Sequence, residues 1–314
     1  MMSKLKLAVL AGGSSIEREI SFKSAENILQ NLDTQKYDVY EIDLPFDKRD
    51  TNWITQLIEL KPDFVLSALH GGRGENGTVQ GLLQCLDIPY AGSGVLSCAL
   101  CMNKQAAKKL MKDEHIPVAD DIYIPKDADI SSFEQKLDKL EYPIIVKPNR
   151  GGSSIGIEVT NDFESLKKAV RNIRSRYNDD VLAEKYIDGK EVTCAVVQTD
   201  EGLKIMSVLD INKSKGIYDY DSKYLSGESA VSFTTLPDYM KKMIEDIAIK
   251  AFNTMHCRGY GCVDMLIKDE QVYVIEINTL PGMTNHSLIP AAAAQMGMSL
   301  SEFLDILIEQ RINK

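Results

Sequence analysis

Asp264, Glu276 and Asn278 are the residues whose types and spacing most directly imply chemistry. Two β-rich runs, Val263 to Ile267 and Val272 to Ile277, flank the polar turn Lys268-Asp-Glu-Gln271, a pattern that predicts an antiparallel hairpin. Glu276 and Asn278 stand at i and i+2 on the second strand and share a face, while Asp264 lies on the first. Two carboxylates and an amide carbonyl form a hard-oxygen set that suits Mg²⁺ or Mn²⁺, whereas zinc would call for His or Cys. The same spacing also fits a hairpin whose polar face meets water. The following loop, Asn278-Thr-Leu-Pro-Gly-Met-Thr-Asn-His-Ser287, shifts the balance toward a site, because a long polar loop stiffened by Pro and Gly usually carries function.

Lys147 closes an otherwise apolar run, Tyr142 to Pro148, and Arg150-Gly-Gly-Ser-Ser-Ile-Gly156 follows it. The N–H and hydroxyl donors of that segment suit phosphate oxygens; a plain hairpin turn is the alternative. It lacks the G-x-x-x-x-G-K-S/T spacing of a P-loop. His70-Gly-Gly-Arg-Gly-Glu-Asn-Gly77 ends a predicted strand, where open α/β sheets bind ligands, and its four glycines imply backbone that something approaches closely. Glu17 opens a predicted helix after Gly12-Gly13. It is either a holder of an ammonium group or a first-turn acid favoured by the helix dipole. That glycine turn lacks G-x-G-x-x-G, which argues against a dinucleotide site. Lys104, Lys108 and Lys109, on the amphipathic stretch Asn103 to Glu114, read as a solvated basic face.

The elements that must position these residues follow an α/β order. Strand Leu5 to Ala11, helix Glu17 to Leu32, strand Asp38 to Ile42, helix Asn52 to Leu60 and strand Phe64 to Leu69 predict a small parallel sheet. A charged helix, Ser131 to Leu140, precedes the Lys147 strand, and helix Asp162 to Arg174 follows the Gly-Ser loop. Val181 to Ile187 and Glu191 to Val197 then read as two strands joined by a short Asp188-Gly189 turn, with Leu203 to Asp210 continuing the sheet. Ile211 to Val231 is polar and aromatic without periodicity, which predicts an ordered lid. Met240, Met243, Ile244, Ile247, Ala251 and Phe252 recur at helical spacing over Asp238 to Met255 and predict a core face. Ser299 and Glu302 form a capping box that opens the last helix.

The chain of 314 residues has room for two or three domains, and its formal charge of -10 argues against a general nucleic-acid or membrane-surface binder. The opening apolar run is too short for a signal peptide, so the cytoplasm is the default location. Six cysteines without a disulfide-like framework read as free thiols, and the Cys98-x-x-Cys101 pair, set among Ala99, Leu100 and Met102, as core.

Together these segments resemble one family. Glu17-Arg-Glu-Ile-Ser21, His70 to Gly77, Ile145-Val-Lys-Pro148 with Gly152-Ser-Ser154, Glu184-Lys-Tyr186, Tyr218-Asp-Tyr with Lys223-Tyr224, and Glu276-Ile-Asn-Thr279 with Pro281 to Leu288 are similar, in order and spacing, to the D-alanine–D-alanine ligases of the ATP-grasp superfamily. The resemblance spans essentially the whole chain. It implies an N-terminal parallel α/β domain (1–92), a central ATP-binding subdomain (93–186) and a C-terminal ATP-grasp subdomain (187–314) carrying the metal site and the lid, about 211–231. It implies an ATP-dependent ligase that joins two D-alanines for the peptidoglycan precursor. Lys104, Lys147 and Lys223 are then phosphate clamps, with Ser153 and Ser154 in the same loop. Glu184 and Tyr186 would hold adenine, and Glu191 the ribose. Asp264, Glu276 and Asn278 would hold two Mg²⁺ or Mn²⁺ ions. Glu17 would fix the ammonium of the first D-alanine in a network with Ser153 and Tyr224, next to His70 and Tyr218. Ser287 and Leu288 would receive the second D-alanine, and the Gly282 N–H would serve the oxyanion. A cytoplasmic homodimer is the expected state.

Two positions depart from the family's pattern. Cys262 stands where members usually carry the arginine that stabilises the oxyanion. Losing one such donor typically costs about a hundred- to a thousandfold in rate. Gly151 replaces a glutamate found in some members. Arg258, on the approach to the same strand, is the nearest alternative cation in sequence. The second reading left open is therefore a divergent ligase of the same family with another acceptor or reduced activity.

Overall fold

The computed structural model describes residues 4–152, 154–211 and 231–312. Ser153, Tyr218, Lys223, Tyr224 and nearly all of the expected lid lie outside them.

Three sheets organise the chain. The first holds β1 (Leu5–Gly12), β2 (Tyr37–Leu44) and β3 (Phe64–Ser67), all parallel in the order β2-β1-β3. Helices α1 (Arg18–Asn31) and α2 (Asn52–Leu60) supply its crossovers, followed by α3 (Thr78–Cys85), α4 (Val95–Met102) and α5 (Lys104–Asp113). β1 and β3 are largely apolar runs because both of their faces are covered, whereas the edge strand β2 alternates and is partly exposed. Their C-terminal ends, around Gly12-Gly13 and His70-Gly71, flank the point where the strand order reverses.

The second sheet is antiparallel, in the order β4-β7-β5-β6, built from β4 (Asp121–Ile124), β5 (Ile144–Pro148), β6 (Glu158–Thr160) and β7 (Val181–Lys185). Helices α6 (Glu134–Leu140) and α7 (Phe163–Tyr177) pack on it over Leu137, Leu166, Val170 and Ile173. The third sheet, also antiparallel, runs β10-β9-β8-β11-β12: β8 (Lys190–Thr199), β9 (Gly202–Ile211), β10 (Val231–Phe233), β11 (Tyr260–Lys268) and β12 (Gln271–Asn278). Helix α8 (Asp238–Thr254) covers one face through Met240, Ile244, Ala251 and Phe252. Helices α9 (Leu288–Gln295) and α10 (Leu300–Ile312) cover the other and merge its core with that of the parallel sheet. Lys36 and Tyr37 reinforce this junction by contacting Asp305 of α10 at 2.6 Å each. The capping box forms as expected, with the Ser299 N–H donating to Glu302 and the Glu302 N–H to Ser299.

Three sequence expectations are corrected. Val181–Lys185 and Lys190–Thr199 are not a hairpin: the Asp188-Gly189 link carries the chain from the second sheet to the third. Met243 is exposed, because the apolar stripe of α8 is narrower than its composition implies. Lys104 and Lys108 are buried, and of that basic face only Lys109 meets solvent.

Candidate active site

The β11–β12 hairpin places Asp264 directly opposite Glu276, and Cys262 opposite Asn278. A bulge makes this possible. The register shifts between Asp264 and Met265, so that Met265 pairs with Val274 and Ile275 is the extra residue. Without it Glu276 would share the face of Val272 and Val274, which are buried under α8. The bulge turns Glu276 toward the cleft, a re-aiming that such irregularities commonly achieve beside active sites. Thr193, facing Asp264 across β8, donates to its Oδ1 at 2.6 Å, and Asn278 Oδ1 accepts the Leu280 N–H at 2.9 Å. Asp264, Glu276 and Asn278 border one cavity of 70 Å³ with Glu17, His70, Glu75 and Lys104. Among the described residues no group of three or more His, Cys, Asp or Glu gathers to hold a metal. An ion here would complete its shell with the Asn278 amide, water or phosphate oxygens, as Mg²⁺ does.

Helix α5 contributes lysines at i, i+4 and i+8, on one helical face. Lys104 Nζ lies 2.9 Å from Glu276 and donates to the Gly151 carbonyl at 2.6 Å. Burial works against its charge, but Glu276 more than offsets this and raises its pKa. Lys108 Nζ sits 2.5 Å from Glu184 Oε1 and 3.4 Å from Asp121, and Lys112 closes on Asp121 as well. Glu184 and Asp121 are register partners on β7 and β4, so two carboxylates stand side by side with Lys108 between them. The other Glu184 oxygen takes Lys147 Nζ at 2.5 Å. Burial pushes the Glu184 carboxyl up, yet Lys147 and Lys108 hold it down at about 2.

Lys104, Lys147, Glu184 and Glu276 line a second cavity of 120 Å³, together with the apolar Ala119, Ile145, Ile157, Leu266 and Ile275 and with Lys185 to Ile187 and Glu191; Lys108 and Asp121 lie behind that lining. Ser154 lines the same cavity, in the left-handed region at φ 58°. Both cavities are bordered by Lys104, Gly151, Gly152, Asp264 and Glu276, so they form one continuous cleft.

At the far end, α1 carries a buried polar stripe, Ser21, Ser24 and Asn27. Ser21 accepts the Gly12 N–H; Ser24 Oγ lies 3.1 Å from His70 Nε2 and accepts the Met283 N–H; Asn27 donates to the Met283 carbonyl. Gly71 is required here. Its φ is 67°, and a Cβ would lie 2.8 Å from Glu17 Oε2 and 2.6 Å from Ser15 Oγ. A Cβ on Gly282 would lie 2.7 Å from Ser287 Oγ and 3.9 Å from His70 Cε1, which brings those three residues together. Leu288 begins α9 and is partly buried against the shared core.

Cys262 is fully buried in that core, near Ala195, Tyr260 and Leu280. Burial and the nearby Asp264 push its thiol well above the usual range, so it carries no charge. Arg258 does not replace the missing cation: its guanidinium lies over the Tyr90 ring, 5.3 Å from the centroid. Lys108, Ser24, Asn27 and Thr193 are site-supporting residues that single-residue reading missed. For α5 and α1 the signal was polar side chains repeating every four or three residues on helices that are otherwise packed.

The sheets on either side of this cleft and the paired lysines and carboxylates within it define an ATP-grasp enzyme. The model for the D-ala D-ala ligase C-terminus matches residues 110–309, and that for the N-terminus matches 6–61 and 49–93. The chain is 40% identical over 312 residues to D-alanine–D-alanine ligase of Desulforamulus reducens, covering 97% of this chain and 98% of that one. It is 38% identical over 312 residues to D-alanine–D-alanine ligase B of Clostridium perfringens, covering 99% of each. The crystal structure of the Bacillus anthracis D-alanine–D-alanine ligase complexed with ATP superimposes with a TM-score of 0.84 at 35% identity, over 98% of this chain and 96% of that one. The chain belongs to the D-alanine–D-alanine ligase family. No single helix among the described residues is long and apolar enough to cross a membrane.

Proposed function

We propose that this chain joins two D-alanines at the expense of ATP, with its domains dividing near residues 92 and 186. The observation that carries this reading is the continuous cleft. It runs from the partly apolar cavity at Glu184 and Tyr186, past Lys147, Lys104, Asp264 and Glu276, to Glu17 and His70. That order matches base, phosphates, metal and amino acid. Glu191 is assigned to the ribose, and Lys104 and Lys147 to the phosphates as mobile ammonium donors. Asp264, Glu276 and Asn278 would hold two Mg²⁺ or Mn²⁺ ions, which when bound would offset charge on the transferring phosphoryl group.

Glu17 binds the first D-alanine's ammonium and leaves its carboxylate facing the γ-phosphate. Attack breaks the bond between the γ-phosphorus and the bridging oxygen, releases ADP and yields an acyl phosphate; the second D-alanine's amine, placed by Ser287 and Leu288, attacks the acyl carbon, loses a proton and displaces phosphate. The Gly282 N–H faces the developing oxyanion. Ser153, Tyr218, Lys223 and Tyr224 are assigned by resemblance to the phosphate and first-substrate ends. A cytoplasmic homodimer is part of the proposal. The test is phosphate release from ATP with D-alanine alone, with D-alanine plus D-serine or D-lactate, and with no amino acid. The reading fails if D-alanine stimulates release under none of these conditions. Slowed or redirected ligation is the second reading, favoured by the neutral, sealed Cys262; slowed ligation predicts weak stimulation with D-alanine alone, and redirected ligation predicts stimulation chiefly in the mixed reactions.

A further inference from the structure

Glu184 has two oxygens and two lysines. Lys147 takes one and Lys108 the other, each at 2.5 Å, and Lys108 is buried to 3% exposure with Asp121 on its far side. Lys147 also faces the Gly151–Gly152 side of the cleft, where the phosphates are placed. A lysine that turns to phosphate gives up its hold on Glu184, and a buried carboxylate with no cation beside it would take up a proton. That choice matters to the base. An ionised carboxylate accepts a hydrogen bond from the 6-amino group of adenine and repels the 6-carbonyl oxygen of guanine, whereas a protonated one donates to that oxygen. We propose that Lys108 is a positioning residue that keeps Glu184 an ionised acceptor while Lys147 serves the phosphates, and that it thereby sets the preference for ATP over GTP.

The inference rests on the reading that Glu184 faces the base, so its test measures nucleotide binding rather than ligation. Isothermal titration of ATP and GTP, each with Mg²⁺ and without D-alanine, is compared for the native chain, Lys108→Gln and Lys108→Arg. In Lys108→Gln the ATP affinity should fall about tenfold to a hundredfold, the loss expected of a charged hydrogen bond, with GTP affinity unchanged or improved. Lys108→Arg keeps the charge and should keep the preference. Equal losses for both nucleotides in Lys108→Gln, or an unmoved ATP-to-GTP ratio, overturn the inference. Where Lys108→Gln does not fold, Lys108→Gln combined with Glu184→Gln removes both members of that pair and is compared with Glu184→Gln alone, in which Lys147 has lost the same partner. The two must share one base preference, and a further change on adding Lys108→Gln is incompatible with the mechanism. If the native chain binds ATP with this preference yet releases no phosphate with D-alanine, the ligase reading fails while the Lys108 inference stands.

Discussion

In the cluster of β4, β5, β7 and α5, Lys147, Lys108, Glu184 and Asp121 are withdrawn from water and each touches an opposite charge; at the Cys262 rung of β11, a position of comparable burial carries no charge at all. The two regions belong to different sheets, the second and the third, and Cys262 stands two rungs from the Asp264–Glu276 pair. A charge survives burial only where a partner is supplied. The nucleotide end supplies them through one helix stripe and three strands. Cys262 stands between Ala195 and Asn278 on the flanking strands, and the nearby carboxylate, Asp264, is already engaged by Thr193; a neutral thiol needs no partner there.

The largest disturbance is expected from Lys147→Met, which orphans one Glu184 oxygen and removes a proposed phosphate donor. Breaking a buried pair costs about 3–5 kcal/mol of folding stability, and losing a cationic clamp on the transferring phosphoryl group should lower kcat/KM for ATP by about a hundred- to a thousandfold. Steady-state kinetics at varied ATP checks this. A loss below about tenfold would mean that the paired cluster is scaffolding alone.

Cys262→Arg tests the other region. Restoring the oxyanion cation should raise turnover by about a hundred- to a thousandfold. The larger side chain must push into a fully buried site, so unfolding stability should fall by about 1–3 kcal/mol. Parallel measurements of kcat and of urea denaturation separate the effects. A folded variant with unchanged or lower turnover would show that the acyl-transfer end has been rebuilt around the thiol.

The acid response distinguishes the regions next. Glu184 has its carboxyl held at about 2, against an ordinary 4.5. A carboxylate depressed in the folded state adds stability that is complete above the unfolded value and lost as pH falls toward the folded one. The stability gap between the native chain and Glu184→Gln should therefore shrink between pH 4.5 and 2, by on the order of 3 kcal/mol. Denaturant titrations at pH 6 and pH 3 should show about 2 kcal/mol of it. Cys262→Ala, which removes no charge, should show the same gap from the native chain at both pH values.

Much of this arrangement was legible in the chain because local pattern dictated it. The hairpin, the parallel unit, helix Asn52–Leu60 and the Ser299–Glu302 box all follow from periodicity and capping chemistry. What escaped depends on partners distant in sequence. The bulge at Ile275 is a property of register between two strands, and no residue type in β12 announces it. Lys108 looked solvated because lysines on amphipathic helices usually are; only the folded sheet brings Glu184 and Asp121 beneath it. The Asp188-Gly189 link looked like a hairpin because two residues suffice for one, and the change of sheet is decided by packing.

The smallest expected effect lies at the amino-acid end, where neutral hydrogen bonds replace ion pairs. Ser24 is fully buried, lies 3.1 Å from His70 Nε2 and accepts the Met283 N–H at 3.3 Å, so it ties α1 to both the His70 loop and the Gly282–Met283 turn. Ser24→Ala removes a hydroxyl without opening a large cavity. Neutral hydrogen bonds contribute about 0.5–1.5 kcal/mol each, so KM for D-alanine should rise roughly two- to tenfold. KM for ATP should stay where it is, because neither contact reaches Lys104, Lys147 or Glu184. Titrating D-alanine at saturating ATP, and ATP at saturating D-alanine, gives both numbers. A matching rise in KM for ATP would mean that α1 braces the whole cleft as one unit, and the contrast between a charge-wired nucleotide end and a neutrally bonded amino-acid end would not hold.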